Sequence, residues 1–134
     1  MATTVTRIVY NRFPEIAAAL QPAVRAIVME AAAEIETDIK QEMAQPKSGR
    51  VYPNGHVASA PGEAPAIDVG VLAASIQVEP TGPTSAAVAT NQEYAGHLEY
   101  GTRRMAARPA WVPAAERVRP RFLAKMQGLE GRLR

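Results

Sequence analysis

The chain predicts an α+β fold, with a long N-terminal helix packed on a small antiparallel β-sheet, short helices between, and a C-terminal helix. Three patterns predict it. Val24, Ile27, Val28, Ala31, Ile35, Ile39 and Met43 recur at three- and four-residue steps, the period of one amphipathic helix face. Ile76 and Val78 alternate with Gln77 and Glu79, and Ala86–Thr90 returns after a Pro/Gly-rich turn at Pro80–Ser85, which reads as a β-hairpin. Val118, Phe122, Met126 and Leu129 recur about one helical turn apart, which marks a last amphipathic helix.

The elements follow in order. Thr4–Tyr10 is rich in β-branched residues and suits a short strand. Pro14 suits a first helical turn, so Ile16–Leu20 reads as a short helix that Gln21 and Pro22 break. From Ala23 to about Ala44 runs the long helix, about 33 Å at 1.5 Å per residue, the spine of the domain. Residues 45–67 hold four prolines and three glycines and read as a long, semi-extended loop suited to an inter-subunit arm. Asp68 is a reasonable N-cap for a short helix that carries Gly70, Leu72 and Ser75 and passes into the first hairpin strand. Asn91 is placed to cap a further short helix, with Tyr94, His97 and Leu98 on its inner face and Gly101 at its end. Pro113 opens the last helix, which Pro120 is expected to kink or divide near Glu116–Arg119.

With 134 residues the chain suits one domain, 1–134. It has no cysteine, which excludes disulfides and thiolate metal sites. No apolar run is expected to reach the roughly 18 residues of a membrane span, and the first residues lack signal-peptide order, so a soluble product without a membrane partner is expected. Net charge is +2 but unevenly spread. Residues 1–100 carry six Lys/Arg against eleven Asp/Glu, a net of −5. Residues 101–134 carry nine against two, a net of +7. A basic end suits an acidic partner, either nucleic acid or the acidic surface of a second copy. Head-to-tail contact of unlike ends builds rings or filaments.

Candidate chemistry is sparse. His56 and His97 stand 41 residues apart without a local ligand spacing, so no metal is expected. Ser59, His56 and Asp68 could be drawn as a triad, but no nucleophile-elbow sequence accompanies them, and no glycine-rich phosphate loop is present. No catalytic residue and no cofactor are expected. The densest segment is Tyr94–Pro113, with two tyrosines, two glycines, three arginines, two prolines and the only tryptophan. Arg103, Arg104 and Arg108 with Trp111 could bind nucleic acid, form a solvated basic loop, or anchor a protein contact. Glu99 is positioned to orient one of these arginines. Tyr94, Glu99, Arg103, Arg104, Arg108 and Trp111 are thus the candidate interface, and Gly70, Gly101, Pro109 and Pro113 the candidate structural turns.

The order of motifs resembles one family. A long helix leads to Ser59, Pro61, Gly62 and Pro65, then to Asp68, Gly70, Leu72, Ser75 and Ile76. A hairpin follows, then Tyr94, Ala95, Glu99, Tyr100, Gly101 and Thr102, and finally Ala107, Arg108, Pro109, Trp111, Pro113 and Ala114. Over about residues 14–130 this is similar to the head–tail joining or tail-completion proteins of tailed double-stranded-DNA phages. The resemblance implies a small α+β subunit of the virion neck, in a ring that is most often hexameric. Its partners would be the head–tail adaptor and the tail tube or tail terminator. It implies no enzyme activity and no cofactor, and a channel through which DNA passes without specific binding. Where that family usually has phenylalanine after Arg-Pro, this chain has Ala110 and then Trp111. In this reading Arg103, Arg104 and Arg108 pair with acidic residues of the neighbour's long helix. The alternative is a DNA-binding accessory module that uses the basic C-terminal third.

Overall fold

A computed structural model describes residues 13–67, 70–129 and 131. The strand expected over Thr4–Tyr10 and the cap expected at Asp68 lie outside those residues. The architecture is the α+β arrangement the sequence predicts. Helix α1 spans Phe13–Ala44, α2 Val71–Ser75, α3 Ala95–Tyr100 and α4 Trp111–Gly128. Strands β1 (Gln77–Gly82) and β2 (Ser85–Ala89) form one antiparallel pair.

Helix α1 is a single 32-residue helix, about 48 Å long. The break expected at Gln21 and Pro22 does not occur; Pro22 lies inside the helix. Proline removes one N–H and crowds the carbonyl four residues back. Here both Pro22 and Ala18 are exposed, so the freed carbonyl faces solvent, and alanines at positions 17–19, 23 and 26 keep the helical preference high. The helix also overturns the expectation about apolar runs. Its most apolar 18-residue window has a mean hydropathy of 1.4, enough in length and composition for a membrane span, and 6% of that window is buried.

Burial is concentrated in the C-terminal half of α1. Ile39 and Met43 lie at the centre of a core shared with Leu72 of α2, Ile76, Ala95 of α3, and Ala110 and Ala114 at the start of α4. Alanine at three of these positions lets backbones approach closely, so the core is compact but small. Full burial of Ile39 and Ile76 stabilises the fold by about 2–3 kcal/mol each. A two-stranded sheet is marginal alone. This one packs on α1 through both strands. Val78 pairs with Val88 and Glu79 with Ala87, and the register shifts between Pro80 and Gly82. The first strand runs three residues, to Gly82, into the segment expected to be turn.

Helix α4 runs antiparallel along α1 and is continuous through Pro120. Pro120 does not divide the helix, for the reason that holds at Pro22: Pro120 and Glu116 are both exposed, and the unpartnered carbonyl is on the wet side. Helix α3 begins at Ala95 rather than after Asn91; Thr90 Oγ1 accepts the backbone amide of Gln92, and Asn91 Oδ1 accepts only that residue's side-chain amide. Its inner face is Ala95, Leu98 and Glu99, whereas Tyr94 and His97 point outward, opposite to expectation. Spacing explains the difference. Positions 95, 98 and 99 share one helix face, and Glu99 is drawn inward by what it binds.

Candidate interaction surface

The first turn of α4 leaves the amides of its opening residues without partners in the helix. Glu99, 8% exposed, supplies them. Its carboxylate accepts from the amides of Ala110 at 2.6 Å, Trp111 at 3.0 Å and Val112 at 2.8 Å. The next residue, Pro113, has no N–H, and the Ala114 amide donates to the Ala110 carbonyl at 3.3 Å, which begins the helical ladder. Every opening donor is accounted for, and a buried negative charge sits at the positive end of the helix dipole. Glu99 therefore orients no arginine; α4 holds both of its oxygens.

The loop between Glu99 and α4 is shaped by Gly101 at φ 76°, in the left-handed region. A Cβ there would sit 2.9 Å from both the Ala107 nitrogen and the Met105 oxygen, so only glycine fits the reversal. Gly70, at φ 77° before α2, has the same conformational need but open space around it. Pro109 and Pro113 are half-buried on either side of the cap.

Arg108 is turned inward. Its Nε donates to the Ser59 carbonyl at 3.2 Å, a terminal nitrogen donates to the Ala106 carbonyl at 3.1 Å, and its amide donates to the Leu98 carbonyl at 2.6 Å. Trp111 is also spent within the subunit. Its indole N–H donates to the Val88 carbonyl at 3.0 Å and joins the start of α4 to the outer edge of β2. Tyr94, Arg103 and Arg104 are exposed, and neither of these two arginines makes a side-chain ion pair among the described residues. Of the six candidate interface residues, these three face outward; Glu99, Arg108 and Trp111 hold the subunit together.

Residues 45–67 fold back on their own subunit. Val51 and Val57 form an antiparallel bridge, with Gly49 donating to Ala58, Ala58 to Arg50 and Tyr52 to His56. The Glu63 carboxylate gathers the Ala60 amide and the Ser48 amide and hydroxyl, and these bonds hold it below the usual carboxylate range. The Gly62 amide donates to the Ala107 carbonyl, and Ala64 enters the core. What stands exposed is the hairpin tip, with Val51 and Tyr52 and the Arg50 guanidinium 4.9 Å above the Tyr52 ring. Of the drawn triad, Ser59 is buried, His56 is half-buried beside Tyr52, and Asp68 lies outside the described residues. No group of three His, Asp or Glu side chains gathers among the described residues.

The basic residues of α4 pair with acidic residues of α1. Arg117 pairs with Asp38 through its Nε and a terminal nitrogen. Arg121 pairs with Glu34 at 2.9 Å, and Lys125 with Glu30 at 2.5 Å and Glu34 at 3.5 Å. Each step of four forward along α4 meets a step of four back along α1. The bond from Arg121 lowers the Glu34 pKa, and the Glu30 carboxylate raises that of Lys125. The acidic face of α1 is thus neutralised by its own subunit. A neighbour's arginines would have to compete with these pairs for that face.

An apolar surface also remains uncovered. No side chain from Pro14 to Ala31 is buried, although Ile16, Leu20, Val24, Ile27 and Val28 line that half of α1. Beside it lies an open trough of about 700 Å³ with α1 as its floor, β2 as one wall and α4 as the other. A second groove, of about 410 Å³, lies between α2, α3 and residues 56–67 and shares no residue with the first. No family model matches the chain, and no curated protein or solved structure matches it either.

Proposed function

We propose that this chain is a structural subunit of the neck of a tailed phage, one copy in a ring that joins the portal–adaptor complex to the tail tube. The observation that carries the reading is the uncovered apolar half of α1. A 32-residue helix in which no side chain from Pro14 to Ala31 is buried is a surface made to be covered by protein. The motif order that resembles the tail-completion proteins supplies the setting. The residues of that resemblance also act as one unit: Glu99 caps α4, Gly101 turns the loop, Arg108 binds the 45–67 segment, and Trp111 ties α4 to the sheet. In this reading the chain is a scaffold without catalysis or cofactor, and DNA traverses the ring without specific contacts.

A DNA-binding accessory role has one observation in its favour. Arg103, Arg104 and Arg119 are exposed and make no ion pair among the described residues. Three cations give a shallow salt dependence, about 2.7 in the slope of log K against log salt. Titration of duplex DNA with wild type and with the Arg103→Ala, Arg104→Ala double variant separates the readings. The scaffold reading expects negligible binding at physiological salt from both.

The reading is tested by removing the reading frame from the phage that encodes it. DNA-filled capsids and finished tails that fail to join are expected, with joining restored by the chain supplied in trans. Normal virions without the chain would overturn it.

A further inference from the structure

Asn54 and Gly55 form the tip of the hairpin that the 45–67 segment builds, and both are exposed. The tip is a tight turn. The Gly55 amide donates to the Tyr52 carbonyl at 2.9 Å, with Pro53 and Asn54 as the corner residues. Gly55 itself has φ 87°, the left-handed place that often ends such a turn. Asn54 Oδ1 accepts the His56 amide at 3.0 Å. That bond folds the side-chain carbonyl along the Gly55 peptide unit, as in an Asx turn. A methyl group at Gly55 would meet nothing within 4 Å, so its nitrogen is unhindered on that side.

We propose that Asn54–Gly55 is a self-modifying site, where the Asn54 side chain converts to aspartate and isoaspartate through a cyclic imide. Water is the only co-reactant. The Gly55 nitrogen gives up its proton to hydroxide and attacks Asn54 Cγ. A C–N bond forms to Gly55, the bond from Cγ to the side-chain nitrogen breaks, and that nitrogen leaves as ammonia. Water then opens the ring at either carbonyl. Breaking the new bond leaves aspartate with the original main chain. Breaking the old one leaves isoaspartate, whose main chain runs through the side-chain carbon. Three features of the tip favour the first step. Glycine puts no side chain beside the attacking nitrogen. The His56 N–H on Oδ1 stabilises the negative charge that develops on that oxygen. The bond from Gly55 to Tyr52 must open, and it is a single exposed turn bond beyond the Val51–Val57 bridge. The other two asparagines lack the first feature: Asn11 precedes Arg12 and Asn91 precedes Gln92. Either product places a negative charge beside the Arg50–Tyr52 stack. Isoaspartate also lengthens the turn by one carbon and so loosens the bridge behind it. The exposed surface of Val51 and Tyr52 thus changes charge and shape as the molecule ages.

The test incubates the folded, full-length chain in warm neutral buffer and follows its peptides by mass spectrometry, with an isoaspartate methyltransferase to label the rearranged product. The peptide that holds Asn54 should convert at least tenfold faster than the one that holds Asn91, faster still in mildly alkaline buffer, and to both products. Asn54→Gln should abolish the reaction, because the larger ring closes far more slowly. In converted protein the Tyr52 and Ala58 amides, which bond to His56 and Arg50 across the hairpin, should exchange with deuterium several-fold faster than in fresh protein. Conversion at Asn54 no faster than at Asn91 would overturn the proposal. So would conversion in urea but not in the folded chain, which would show that the turn bonds hold the nitrogen back. Aspartate without isoaspartate would rule out the cyclic imide, and unchanged amide exchange would rule out the loosened tip. The inference is independent of the neck reading, which stands or falls with the joining of heads and tails.

Discussion

Glu99 and Pro113 divide the start of α4 between them. The carboxylate takes the amides of residues 110, 111 and 112, and the proline occupies the one remaining position, where an N–H would have no acceptor. Neither residue is explained by its own neighbours in sequence. Together they account for a conspicuous part of the Tyr94–Pro113 segment without any external partner.

Glu99→Ala should therefore destabilise the fold by about 2–4 kcal/mol, since it strands several poorly hydrated amides as well as removing a charged cap. Glu99→Gln keeps one acceptor oxygen and should cost about half as much. Urea unfolding midpoints measure both. A loss below about 0.5 kcal/mol for Glu99→Ala would show that the cap is dispensable.

Two glycines at either end of α3 should respond in opposite directions. Gly101→Ala forces a left-handed alanine against two backbone atoms and should cost about 1–3 kcal/mol. Gly96 lies within α3, and a methyl group added there would meet nothing within 4 Å, so Gly96→Ala should stabilise by up to about 1 kcal/mol. Thermal midpoints of the two variants give the comparison.

Acid should weaken the fold through Glu34 and Glu63. Both have native pKa values held below their ordinary 4.5, Glu34 chiefly by its bond from Arg121 and Glu63 by the Ser48 hydroxyl. A depressed carboxylate contributes its full stability above the unfolded value and loses it as pH falls through the native one. Stability should accordingly be flat near neutrality and fall below about pH 4.5, and Glu63→Gln should flatten that fall. Lys125, raised by Glu30, has the opposite sign: its contribution is complete below 10.5 and is lost as pH rises past it. Chemical denaturation from pH 3 to pH 7, at about half-unit steps, checks the acid limb.

The ladder between α1 and α4 should be worth little pair by pair, because its members are largely exposed and screened. Arg121→Glu should cost no more than about 1 kcal/mol, and Glu34→Arg in the same chain should recover part of it. About 1 M salt should shrink the coupling between the two changes. A coupling that ignores salt would argue against direct pairing.

Much of this architecture is legible in sequence, and the misses have physical causes. Both long helices and the hairpin announce themselves by apolar period. The ladder was missed, although Glu30, Glu34 and Asp38 on one helix and Arg117, Arg121 and Lys125 on the other share the same four-residue step, which is what two antiparallel helices in register require. Pro22 and Pro120 misled because a helix tolerates proline more readily where the freed carbonyl can reach water, and exposure is a tertiary property. The role of Glu99 was hidden for a related reason. Its partners lie eleven to thirteen residues on, across a loop that only Gly101 allows to close, and no local rule connects a glutamate to a helix that begins so far away. Trp111 and Arg108 carry the chemistry of interface anchors, yet the backbone carbonyls of Val88 and Ser59 lie within reach and take them first.

The central claim is that copies of this chain form a ring at the junction of capsid and tail. Electron microscopy of intact virions, with the chain located by a bound antibody fragment, tests it most directly. The account expects labelled density in a closed ring between the portal–adaptor complex and the tail tube. Label at any other place on the particle, or virions that carry none of the chain, would contradict it.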